Sequence, residues 1–479
     1  MTTIVDATND VMEGYGVTKA TTTCEMRKWF GIRLAMCFEN SKGGVDHYWA
    51  TDSKGFSTAP RYLERTDMTL SRFKNLSRAF TLCKPADVGV SCSRLNKFAL
   101  IYIILLLNYL QIDPWGRVRQ FVNAFNIHYL SILTPGTYLV ADEVMSMWRG
   151  KNGLHSTEGL PHVTKIIRKP EGVGAEMKAL ADGETGIILK LEIMEGKEPE
   201  GKKKYCDKHQ AGCAQVMRLV ESYKGTGRIV IADSAFSSYR TLVALFNILG
   251  LYFMGMVKTA SAHYPKQLFA RWFDRQKSEN EPRGHWVSLR ATYSPHPGHS
   301  ERPRTALAVA WADKKLKTIV CNVGSCLRAD SDSIRHRHFL EVIDGVPSSR
   351  RGDISVPRPV VFEMFFRHIA VIDVHDHLRQ GLLQIERAWK TNTWEHRIFG
   401  TMLGIIVTNA FLLYRHERKE ADLAHMTYFE FVDILVDQLI HSSDGVEGMI
   451  LRPRAAAAVV QQPQLPGLAR YFHRFLTLF

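Results

Sequence analysis

The sequence predicts a mixed α/β fold built around a five-stranded sheet, and three observations lead there. Residues 1–135 carry apolar side chains at three-and-four spacing, the mark of helices with one buried face. From residue 136 short β-branched runs alternate with turns. After residue 355 helical spacing returns.

In the first region, helices are expected over Glu25–Phe38 and Thr69–Leu82, and Pro114 with Trp115 starts another through Leu133. Tyr138–Asp142 is a strand ending in an acid. Ala175–Ala181 and Ile187–Ile193 flank the turn Asp182–Gly186 and form a hairpin, with Ile187, Leu189, Leu191 and Ile193 on one face. A helix over Gln210–Tyr223 follows, then the run Arg228–Ala232 ending at Asp233, a helix over Tyr239–Leu249 and a fifth strand over Tyr252–Lys258. The order βββαβαβ is that of a ribonuclease-H-like core, in which the first and fourth strands lie side by side and parallel. In an open α/β sheet the functional crevice lies beyond the carboxyl ends of the strands, so Asp142 and Asp233 are expected to meet there.

Residues 260–355 are rich in Pro, His, Arg and Ser and hold one hairpin, Ala306–Trp311 with Lys317–Cys321, as expected of an inserted, partly β domain. Helices are expected over Val361–Arg379 and Trp394–His416. Thr427 and Glu430 form a capping box ahead of Phe431–Ile440, and 452–467 is low-complexity linker. The expected division is 1–135, a helical dimerisation and DNA-binding region; 136–259, the first part of the core; 260–355, the insertion; 356–418, the helical completion of the core; and 419–479, a helix and tail.

Lys and Arg number 62 against 48 Asp and Glu, a formal net charge of +14, which favours a polyanionic partner. The eight cysteines include no CxxC pair, so reduced thiols in an intracellular protein are expected. Cys206, His209 and Cys213 make a poor zinc site in their Lys-rich loop. No cationic-then-apolar leader opens the chain, and secretion is not expected. The apolar run Phe98–Ile112 is shorter than the roughly 20 residues that span a bilayer. A buried helix or strand is expected there, with no membrane partner.

Three carboxylates gathered from distant parts of a basic chain suit phosphoryl transfer with two divalent ions, Mg²⁺ or Mn²⁺, because such ions prefer hard oxygen ligands. Asp142 and Asp233 supply two. The third is expected from the helix holding Ile372-Asp373-Val374-His375-Asp376, where i, i+3 spacing puts Asp373 and Asp376 on one face. The bland alternative for that segment is a solvated polar face. Glu143 is expected to point away from Asp142, as neighbours along a strand do. Arg149, Lys151, Lys165, Arg168 and Lys169 follow the first acid, and Arg387, Lys390 and Arg397 the third. Together they could carry a DNA backbone, though any one alone is more commonly a solvated charge.

These motifs resemble those of the piggyBac family of DNA transposases. Val140-Ala141-Asp142-Glu143 with Trp148-Arg149-Gly150 resembles its first acidic motif, and Lys169-Pro170 with Gly174 its second block. Ala232-Asp233-Ser234-Ala235-Phe236 resembles the second acidic motif, and Ile372–Asp376 the third. Lys390-Thr391-Asn392-Thr393-Trp394 is similar to the basic, tryptophan-containing stretch that follows. The resemblance implies metal-dependent cleavage and strand transfer at TTAA sites by a nuclear homodimer on double-stranded transposon ends. Asp142, Asp233 and Asp373 would be the catalytic metal ligands and Asp376 an additional one. Arg149, Lys165, Arg168, Lys169, Lys390 and Arg397 are the DNA-contacting candidates. Members usually carry a cysteine- and histidine-rich zinc module at the carboxyl end, whereas no cysteine follows residue 416 here. The alternative reading is therefore a non-catalytic, transposon-derived DNA-binding protein or a decayed copy.

Overall fold

The computed structural model describes residues 2–39, 44–53, 58–83, 113–148, 150, 159–167, 169, 172–257, 262–293, 304–330, 334–343 and 346–441, with the backbone alone for 338–343 and 346–351. The apolar run 98–112, the basic residues Arg149, Lys151 and Arg168, and the linker 452–467 lie outside the described residues.

The core sheet contains β1 (Tyr138–Met147), a two-residue β2 (Thr164–Lys165), β3 (Val173–Asp182), β4 (Ile188–Ile193), β5 (Ile229–Ala232) and β6 (Tyr252–Met256). β1, β3 and β4 form an antiparallel meander, β2 shares with β4 one edge of β3, and β5 and β6 lie parallel to β1 on its other side. The spatial order β4-β3-β1-β5-β6 is the ribonuclease-H-like arrangement that the sequence predicts. β5 is buried along its whole length and β1 at all but its two end residues. Strands covered on both faces read as continuous apolar runs, which is why β5 is plain in the sequence.

Residues 286–321 add to this sheet. β7 (Trp286–Tyr293), β8 (Arg304–Ala312) and β9 (Leu316–Cys321) form an antiparallel meander, and β9 pairs with β6 from Met254↔Cys321 to Met256↔Ile319. The sheet thereby reaches nine strands, with β10 (Arg335–Ile343) and β11 (Val346–Val356) as a separate hairpin.

The helix expected over Val361–Arg379 is broken into Val360–His368, Val371–Asp376 and a π-helical turn, His377–Leu383. Trp394–Glu420 is the long central helix, with every residue from Ile398 to Tyr414 buried. It is long and apolar enough to cross a membrane by length and composition, but its apolar window is wholly buried inside the protein. The capping box forms as expected: the Thr427 backbone N–H donates to Glu430 Oε2 at 2.8 Å and the Glu430 N–H to Thr427 Oγ1 at 3.3 Å, starting the helix Tyr428–His441.

The amino-terminal helices dock on this core through aromatic rings. Trp29, in the helix Thr23–Phe38, lies 5.0 Å from Phe80 and 5.4 Å from Trp389, and Phe30 stacks on Phe399 at 5.6 Å. Rings of this size bury enough apolar surface to fix the interface, at roughly 1.5–3 kcal/mol for each side chain taken out of water.

Candidate active site

The last paired residues of β1 and β5 are Ala141 and Ala232, so Asp142 and Asp233 stand one step beyond, on neighbouring parallel strands. Adjacent strands run roughly 4.8 Å apart, and this register alone makes the two acids neighbours at the crevice. Asp142 is buried within β1, which continues to Met147 along β3; Asp233 is half-buried just after β5.

Burial raises the Asp142 carboxyl to about 8, assisted by the charge of Glu143 and a hydrogen bond from its side chain. Asp142 Oδ1 also accepts from the Glu143 backbone N–H at 2.8 Å. Glu143, itself 3% exposed, therefore has its carboxyl group against that of Asp142 rather than on the opposite face. The backbone register with β3 stays regular at Asp142↔Ala179 and Glu143↔Lys178, so the two carboxyls meet through their side chains, beside the edge that β5 leaves unpaired after Ala141.

The third acidic motif lies on the short helix Val371–Asp376, which packs on β1 and β3. Asp373 is exposed and Asp376 is 7% exposed. Asp376 Oδ1 accepts from Arg379 at 2.9 Å, and Oδ2 lies 3.6 Å from Lys169 Nζ. Both cations also hold carbonyls of β1: Lys169 donates to Glu143 O at 2.7 Å and Arg379 to Met145 O at 3.2 Å. These carbonyls belong to the stretch of β1 that outruns β5, where a buried backbone acceptor needs a donor from elsewhere. Arg379 is fully buried and also pairs with Glu386.

His375, between the two aspartates, points into the core. Its Nε2 lies 3.1 Å from Asn409 Oδ1, and burial lowers its pKa to about 4, which keeps the ring neutral. Asn409 also binds both backbone groups of Ile188 at 2.9 Å, tying the start of β4 to the central helix and to the third acidic motif.

The basic candidates divide. Lys165 and Lys390 are exposed. Lys169 is only 15% exposed along its side chain and faces inward. Arg397 donates to the carbonyls of Glu386 and Trp389, bracing the turn after the third acid from within. Cys213 is buried, with its thiol pushed up by desolvation to about 11, and Cys206 Sγ accepts from Arg218 at 3.2 Å. Sequence reasoning passed over Arg379, Glu386 and Asn409. The i, i+3 spacing of Asp376 and Arg379 and a lone Asn inside an apolar helix were the available signals.

Among the described residues, no three His, Cys, Asp or Glu side chains stand close enough to hold a metal ion. The crowded Asp142–Glu143 pair nevertheless suits a hard divalent cation, since two carboxyls pressed together in a buried edge repel unless a proton or a cation lies between them.

A mixed sheet of this order, with acids where the pairing of its two central parallel strands ends, is ribonuclease-H-like. The family model described as Transposase IS4 matches residues 1–411, and the chain belongs to that family. Its fold is shared with piggyBac transposase, solved by cryo-electron microscopy as a synaptic complex with hairpin DNA; the TM-score is 0.63 at 17% identity, over 92% of this chain and 77% of that one. No curated protein matches the sequence.

Proposed function

We propose that this transposase cleaves and joins double-stranded DNA at TTAA sites with divalent metal ions held by Asp142, Asp233 and Asp373, and that it works as a homodimer in the nucleus. The observation that carries this reading is the register that sets Asp142 beside Asp233 at the mouth of the crevice. When bound, Mg²⁺ or Mn²⁺ would supply an activated attacking oxygen and stabilise the leaving one. The protein's part is to present the carboxylates. Asp142 and Glu143 offer oxygens from the open edge of β1, Asp233 from the end of β5, and the exposed Asp373 from the facing helix. Asp376 would be a further ligand once released from its internal cations. Lys165 and Lys390, both exposed, are placed to meet phosphate.

The test is incubation of the full chain with Mg²⁺ and a duplex carrying TTAA beside candidate element ends, with Asp233→Asn as the control. Nicked and hairpin products that disappear in the variant support the reading. Equal products from both proteins would sink the carboxylate assignment. DNA binding with no product in any end sequence would favour the non-catalytic alternative, which the exposed position of Asp373, apart from the buried acids, also favours.

A further inference from the structure

We infer that Lys169 is the resident counter-ion of the acid cluster: its ammonium occupies the space between β1 and Asp376 that a divalent ion contests, and it is not a phosphate contact. The inference rests on the metal-site reading above.

The contacts of this side chain point inward. Nζ donates to Glu143 O at 2.7 Å and lies 3.6 Å from Asp376 Oδ2, with 15% of the side chain exposed. A lysine binding DNA backbone keeps its head in solvent until phosphate arrives, whereas this one already has a carbonyl and a carboxylate as partners. The described residues on either side of Lys169 are hydrogen-bonded to it and to each other. Ile166 N–H donates to Gly172 O at 2.6 Å, Lys169 N–H to Ile166 O at 3.0 Å, and Gly172 N–H to Lys169 O at 3.1 Å. A Cβ on Gly172 would fall 1.9 Å from Ile166 O, so only glycine permits this approach. The Lys169 backbone is thus tied to Ile166 and Gly172.

A cation so placed does two things. In the metal-free protein it offsets the charge of Asp376, with a smaller effect on Asp142, and holds the third motif against the first. When a divalent ion enters the same cluster, the ammonium opposes it and must swing away, which weakens metal affinity. A phosphate-binding lysine would do neither.

Mn²⁺ binding to the full chain without DNA, measured by calorimetry and by the electron paramagnetic resonance signal of free Mn²⁺, tests this without reference to turnover. Lys169→Met should bind Mn²⁺ about tenfold more tightly than wild type, the effect of removing one nearby positive charge. Lys169→Arg should stay near wild type. Thermal melts in EDTA should show Lys169→Met less stable than wild type, with the deficit recovered on adding Mn²⁺. DNA affinity in EDTA should fall with salt at the same slope in both. Unchanged or weaker Mn²⁺ binding by Lys169→Met overturns the inference, as does a salt slope reduced by about 0.9, which marks a lost phosphate contact. Asp142→Asn separates the two levels: if it binds Mn²⁺ as wild type does, the metal-site reading itself has failed.

Discussion

His396 makes the docking of the amino-terminal helices sensitive to acid. It lies in the first turn of the central helix, and its Nε2 bonds to Phe80 O at 2.8 Å, with the Phe80 ring 5.2 Å away. Burial lowers its pKa from 6.5 to about 4. A base whose folded pKa lies below its unfolded value is stabilising while neutral, so its contribution is complete above pH 6.5 and is lost as pH falls toward 4. At roughly 1.4 kcal/mol for each unit, and allowing for partial protonation of the folded form, the loss reaches about 2.5 kcal/mol by pH 4.5. Carboxylates titrate over the same range, so wild type alone does not isolate the effect. His396→Gln retains a donor for Phe80 O and cannot be protonated. Urea unfolding of both proteins at pH 7 and 4.5 should show wild type losing about 2.5 kcal/mol more than the variant. Equal losses, or a His396 resonance titrating near 6.5, would refute the reasoning.

Other perturbations bear on the supports of the site. Asn409→Leu orphans the Ile188 N–H and C=O together with the His375 ring, and should cost about 3–6 kcal/mol in denaturant melts. Arg379→Met leaves Glu386 without its buried cation and Asp376 with Lys169 alone; a loss of about 3–5 kcal/mol is expected, and a loss under about 1 would show that solvent reaches Glu386. Arg33 is a contrasting case. Its guanidinium lies 5.0, 4.6 and 4.9 Å from the rings of Trp29, Phe73 and Trp389 and bonds Ser77 Oγ at 2.7 Å. Desolvation of that charge is its dominant electrostatic effect, so Arg33→Met should be neutral or raise the urea midpoint, while Arg33→Ala should lower it through lost packing.

The parts of the fold legible in the sequence are those fixed by local pattern. The five core strands and the helix Tyr239–Leu249 stand where hydrophobic period and turn residues put them, the helix to the residue. The first helix, Thr2–Gly14, buries Ile4, Val5, Ala7, Thr8 and Met12 at three-and-four spacing, a stripe as legible as those of the later helices although no helix was assigned there from the sequence. β1 was expected to stop at Asp142, where its apolar run ends; it continues because it stays paired with β3 as far as Met147↔Gly174, while residues 169 and 379 supply donors to carbonyls on its other edge. The pairing of β6 with β9 joins Met254 to Cys321, and no local pattern encodes an approach over that separation.

The acids raise a different difficulty, because spacing identifies them as a group but does not assign their parts. Asp373 and Asp376 share a helix face by the i, i+3 rule, yet one is exposed and the other is held between Lys169 and Arg379. What separates them is the neighbouring surface. Asp376 faces the portion of β1 that extends past β5, and the two cations that complete that strand's hydrogen bonding necessarily bring positive charge to the nearest carboxylate. The same short β5 leaves unpaired the edge beside which Asp142 and Glu143 meet. The length difference between two neighbouring strands therefore sets both the acid pair and its counter-ions. Lengthening β5 by pairing beyond Ala232 would satisfy the β1 carbonyls directly, leave Lys169 and Arg379 without their second partners, and close the crevice in one step.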